Sequence, residues 1–149
     1  MTTIRVSTLI DAPPAQAWEQ VRDISSHVRW MEDAEAIRFT SDSRSGLGTT
    51  FECDTRVGPL RLTDHMEVTE WEEPRRLGIR HVGVVTGAGR FTIEPSGPGT
   101  LFTWEERLSF PWWLGGELAG RAGAPLLARV WRRNLRNLKA LIEGGPDLI

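Results

Sequence analysis

The sequence has no tyrosine and only one cysteine, Cys53, in 149 residues. One cysteine excludes an internal disulfide and a cysteine-rich zinc site, and it fits a reducing, cytoplasmic compartment. The opening residues MTTIRVSTLIDAPP hold no basic leader followed by an apolar run, so no signal peptide is read there. No run of about 18 apolar residues occurs, which argues against stable membrane insertion. Neither charge sign dominates. Eighteen Lys and Arg stand against 20 Asp and Glu, for a formal net charge of −2, so no nucleic-acid partner is expected. Metal-ligand spacing, a phosphate-binding glycine loop and a Ser–His–Asp motif are all missing, so the sequence predicts neither a metal site nor a cofactor.

What is present is tryptophan: seven Trp and five Phe. Trp buries much area per side chain, and so many of them predict a wide apolar interior with large wall residues. The length suits a single domain, residues 1–149, as a monomer or weak homodimer.

Along the chain, TIRVSTLI (3–10) alternates as a half-buried strand. DAPPAQAWEQVRD (11–23) predicts a helix from Pro14, and SSHVRWME (25–32) a second short one, with His27 read as a surface residue. From about 35 to 110 the pattern is strands and turns. Phe51, Cys53, Thr55 and Val57 share a face. So do Leu60, Leu62, Asp64, Met66 and Val68; then Leu77, Ile79 and His81; then Gly89, Phe91 and Ile93; then Phe102, Trp104, Glu106, Leu108 and Phe110. The last helix is predicted from about Pro125 to Glu143, with Leu127, Val130, Trp131, Asn134, Leu135 and Leu138 on its apolar stripe and Gly144–Gly145 at its end.

The order strand, two short helices, six strands in a meander, long helix leaves one apolar sheet face for the last helix to cover. Four stretches, VSTLIDAPPAQAWEQVRD (6–23) with Trp30, VTEWEEPRRL (68–77), GPGTLFTWEERLSF (97–110) and NLRNLKALIEG (134–144), resemble the START-like, Bet-v-allergen-like superfamily. They are most similar to its bacterial polyketide cyclase/dehydrase and lipid-transport (SRPBCC) group. The resemblance implies an α+β helix-grip fold: a curved seven-stranded antiparallel sheet around a long C-terminal helix, with an internal cavity. It also implies a hydrophobic small-molecule ligand such as a lipid, quinone or polyketide, or alternatively a polyketide cyclase/dehydrase activity. Tyrosine hydroxyls, common in cavities of that family, are missing here.

Within such a grip the inward polar residues Asp64, His81 and Glu106 form a candidate acid–base row, with His81 expected beside Gly89 and Gly89 beside Glu106. Gly89 would leave room there for a substrate atom or water. The remaining candidate wall residues are Phe51, Met66, Phe91, Trp104, Phe110, Trp112, Trp113, Trp131 and Asn134. The stretch FPWWLGG (110–116) reads either as a lip, with Trp112 and Trp113 over the cavity mouth and Gly115, Gly116, Gly120 and Gly123 letting it move, or as a cap on the core. Asn134, inward on the helix, reads as a contact for a ligand oxygen or for a local water.

Overall fold

Period-two patterning becomes seven strands: β1 (Thr2–Ile10), β2 (Ala34–Phe39), β3 (Thr50–Val57), β4 (Leu60–Glu72), β5 (Arg76–Val82), β6 (Thr86–Ser96) and β7 (Gly99–Ser109). The computed structural model describes residues 1–144. The strands form one antiparallel sheet in the order β1-β7-β6-β5-β4-β3-β2, so the meander β2 to β7 is closed by β1 beside β7. Between β1 and β2 lie α1 (Pro14–Arg22), with proline at its start, and a 3₁₀ helix (Ile24–Arg29). A 3₁₀ turn (Trp112–Leu114) and the long helix α2 (Gly116–Gly144) follow β7. This curved sheet closed over a long C-terminal helix is the helix-grip architecture.

α2 corrects the expected boundary. It starts nine residues before Pro125, has 29 residues and spans about 43 Å. The glycine-rich stretch before Pro125 is thus helix, not a movable lip. Gly120 shows why small residues stand there: a Cβ at that position would collide with Thr2 Oγ1 and press on Phe110, so its absence lets the first turns of α2 lie against β1. Gly145, expected to help end the helix, lies outside the described residues.

The 3.6-residue stripe of α2 buries Trp131, Asn134, Leu135, Leu138 and Ile142. Against it the sheet sets Ile4, Val6, Phe102 and Trp104, and α1 adds Ala17, Trp18 and Val21. Trp104 and Trp131 stack with ring centroids 4.8 Å apart and planes 17° from parallel. Trp30 meets Trp104 edge-on at 6.0 Å and Phe91 at 5.7 Å, so an aromatic cluster joins the 3₁₀ helix, sheet and α2.

Candidate functional site

Beside that cluster, a cavity of about 360 Å³ lies between the sheet and α2. β3, β4 and β5 supply Phe51, Met66 and Ile79, β6 and β7 supply Phe91 and Trp104, and α2 supplies Leu127 and Trp131. A larger cleft of about 580 Å³, between the start of β1 and the first turns of α2, is more open to solvent, and among its charged groups the Met1 ammonium and Glu117 are exposed and paired at 2.9 Å. The cavity between sheet and α2 is where buried titratable side chains gather.

Register explains how they meet. His81 pairs with Met66 on β4 and with Gly87 on β6, while Gly89 pairs with Ile79 and with Glu106. His81 is therefore one inward position farther along than Gly89, not beside it, because the β5–β6 connection takes up residues 83–85. The imidazole nevertheless crosses β6: its Nε2 is 2.8 Å from Glu106 Oε2. With Glu106 ionised, Nε2–H donates. Gly89 makes the crossing possible in an unexpected way. A Cβ there would collide with the Glu106 carboxyl, so the space expected for a substrate atom or water is filled by that carboxylate. Trp104 Nε1 donates to its other oxygen at 3.0 Å, and the group is buried.

Asp64 lines the same cavity from β4, and its Oδ2 accepts a hydrogen bond from Thr55 Oγ1 at 3.2 Å. Its Oδ1 is buried without a partner. Burial raises the Asp64 pKa, against the opposing pull of His81. For His81 burial works downward, but the charge and hydrogen bond of Glu106, helped by Asp64, outweigh it and hold the imidazole above its ordinary value. A proton donor and a proton acceptor thus face one apolar chamber.

The other candidates divide. Phe51, Met66, Phe91, Trp104, Phe110 and Trp131 line the cavity. Trp112 and Trp113 do not: they are 87% and 60% exposed on the turn before α2, so neither a closed lip nor a core cap describes them. The preceding Phe110 and following Leu114 reach the cavity in their place. Asn134 also lies outside its lining and bonds within the protein, accepting from Glu32 N at 2.9 Å and donating to Asp33 Oδ1 at 2.7 Å.

Two wall residues escaped the sequence reading. His27 is buried, not superficial, with Nε2 2.7 Å from Val21 O, and burial pushes its pKa down to about 4. The clue was the three-residue spacing of Ile24, His27 and Trp30, the period of a 3₁₀ helix. Asp33 follows that helix and takes hydrogen bonds from Trp131 Nε1 at 3.2 Å and from Asn134 Nδ2 at 2.7 Å. Cys53 also lines the cavity, but burial pushes its thiol up to about 11 and leaves it protonated. Among the described residues no group of three or more His, Cys, Asp or Glu is placed to hold a metal ion.

The fold is thus a helix grip enclosing an apolar chamber with a few convergent polar groups. The chain belongs to the polyketide cyclase/dehydrase and lipid transport family, whose sequence profile matches residues 1–143. No curated protein matches it by sequence. Among solved structures it is similar to TTHA0849 from Thermus thermophilus, with TM-score 0.80 and 18% identity over 97% of this chain and 99% of that one. It is also similar to DR_A0006 from Deinococcus radiodurans, with TM-score 0.72 and 17% identity over 97% and 99%. XoxI from Bacillus cereus has TM-score 0.73 and 15% identity over 93% and 94%. At these identities the likeness shows the fold alone. No helix among the described residues is long and apolar enough to cross a membrane.

Proposed function

We propose that the protein takes up a hydrophobic small molecule, a lipid, quinone or polyketide-like compound, in the cavity between the sheet and α2. One observation carries this reading: a chamber of about 360 Å³ has a mainly apolar wall on which Asp64, His81 and Glu106 supply a few polar contacts. That volume falls within the roughly 300–1,000 Å³ of small-molecule sites. The near-neutral charge and the buried thiol of Cys53 accord with a cytoplasmic monomer or weak homodimer, residues 1–149 acting as one domain without nucleic acid. Native mass spectrometry after mild purification, and quenching of tryptophan emission by added ligands, test the reading. A protein that retains nothing and whose emission ignores lipids, quinones and polyketides alike would sink it.

The His81–Glu106 contact favours a second reading, a cyclase/dehydrase. In it Asp64 removes the activated proton between two carbonyls of a poly-keto chain. The resulting carbanion adds to a further carbonyl, and the proton on Asp64 passes to the alkoxide so formed, making a hydroxyl. Asp64 then takes the second proton from the same carbon while His81, held as imidazolium by Glu106, protonates the hydroxyl, which leaves as water as the C=C forms. Incubation with reactive poly-keto thioesters tests this. Equal product patterns from wild type and His81→Ala would remove His81 from any catalytic role.

A further inference from the structure

We propose that the outward face of α2, together with the turn before it, docks the protein on the surface of an anionic lipid bilayer. This surface is separate from the cavity wall and does its work whether or not the cavity holds a ligand.

The face follows from the order of residues along α2. Its inward stripe buries Trp131, Asn134, Leu135 and Leu138. At about 100° per residue, Leu118, Ala122, Leu126, Arg129, Arg132 and Arg136 fall on the opposite side, and all six are exposed. From Leu118 to Ile142 the helix carries five arginines and Lys139 but no Asp or Glu, although the whole chain has a formal net charge of −2. Positive charge is therefore gathered on this helix. Of its five arginines, Arg133 alone forms an ion pair among the described residues, with Glu32 at 3.4 Å. The other end of the face is apolar. Leu118 and Leu126 are 75% and 52% exposed, and the turn leading into α2 holds Trp112 and Trp113 in water. Four large apolar side chains exposed in one short stretch mark a contact surface.

Charge and side-chain type together choose the occupant. Indoles settle at the boundary between headgroups and acyl chains, where an apolar ring and a polar N–H are both satisfied. Arginines beside them pair with lipid phosphates, and a row of one sign is drawn to an anionic leaflet. From Leu118 to Arg136 the face is about 27 Å long, with its apolar residues at one end and its cations at the other. A protein partner would need an acidic strip of that length beside a socket for two indoles. A second copy of this chain would bring the same arginines face to face with these, which repels.

Vesicle flotation with the full chain tests this, on phosphatidylcholine vesicles with and without an equal part of phosphatidylglycerol. At about 0.1 M salt the wild type should bind the anionic vesicles about tenfold more tightly than the neutral ones, and at about 0.5 M salt it should lose that preference as charge is screened. The triple variant Arg129→Gln, Arg132→Gln, Arg136→Gln should bind the two kinds of vesicle equally. The double variant Trp112→Ser, Trp113→Ser should bind both about tenfold more weakly and lose quenching of its emission by bromine-labelled acyl chains. Every substituted side chain is exposed, so thermal melts of both variants should match the wild type. No binding to anionic vesicles at low salt overturns the proposal, and so does binding that neither variant changes. A dimer that the tryptophan variant dissociates, with no vesicle binding, overturns it in favour of a second copy of the chain. Ligand retained in native mass spectra without vesicle binding overturns the docking surface alone and leaves the cavity reading intact.

Discussion

His81 and Glu106 belong to strands that are not neighbours, yet their side chains meet at 2.8 Å across β6. The strand between them carries Gly87 opposite His81 and Gly89 opposite Glu106, so no side chain separates imidazole from carboxylate. The contact is thus a property of β6 as much as of the two residues that make it.

Gly89→Ala is the direct check. Its Cβ would occupy the position of the Glu106 carboxyl and force that group away from His81. Stability should fall by about 1–3 kcal/mol, as for other overpacked sites. More tellingly, the His81 pKa should fall, because burial then acts without the charge that offsets it. NMR titration of the His81 ring would read this, and an unchanged titration would show that Glu106 is not what raises it.

His27 makes a separate claim about pH. Its folded-state pKa lies near 4, below the ordinary value of 6.5, so the unfolded chain takes up a proton that the fold refuses. The stability it contributes is present above 6.5 and lost as pH falls towards 4, about 3 kcal/mol in all. His81 and Asp64 have the opposite sign: their folded values are raised, so their contributions are present at low pH and lost as pH rises through those values. Comparing wild type with His27→Gln by urea denaturation between pH 7 and 4.5 isolates His27. Parallel stability curves for the two proteins would refute the shift.

Much of this arrangement is legible in the residues alone. Strict alternation puts Asp64, His81 and Glu106 on inward faces, and the 3.6-residue stripe turns Trp131 toward the sheet. Register is not legible, since the side-chain period says which face a residue uses but not which residue it meets. The three-residue β5–β6 connection moves His81 from Gly89 to Gly87. The start of α2 is hidden because Pro125 and the glycines before it read locally as a break, whereas close packing on β1 requires a glycine at Gly120 within the helix. Exposure of Trp112 and Trp113 is beyond reach for a similar reason: hydrophobicity predicts a preference for burial, not the availability of a surface to bury against.

Asn134→Leu should destabilise the protein although it adds an apolar side chain to a buried site. It would leave the Glu32 N–H and one Asp33 oxygen without their bonds, where α2 is tied to the segment after the 3₁₀ helix. An expected loss of about 2 kcal/mol follows from stranding such groups. A variant as stable as wild type in chemical denaturation would mean that water or repacking satisfies them.

Trp104 and Trp131 should be the anchors of the grip, and Trp112 should not. The first two are buried and stacked at 4.8 Å, one from β7 and one from the middle of α2, and each indole N–H also holds a carboxylate. Truncating either to Ala should cost about 3–5 kcal/mol, a large share of the stability of a domain this size. Trp112 is 87% exposed, and its truncation should cost less than about 0.5 kcal/mol. Because it stands outside the cavity wall, Trp112→Ala should also leave the affinity for a hydrophobic ligand unchanged. Denaturant melts and titrations of the three single variants decide the matter. If Trp112→Ala unfolds the protein while Trp131→Ala does not, the helix is held by contacts other than this stack, and the wall assigned to the cavity falls with it.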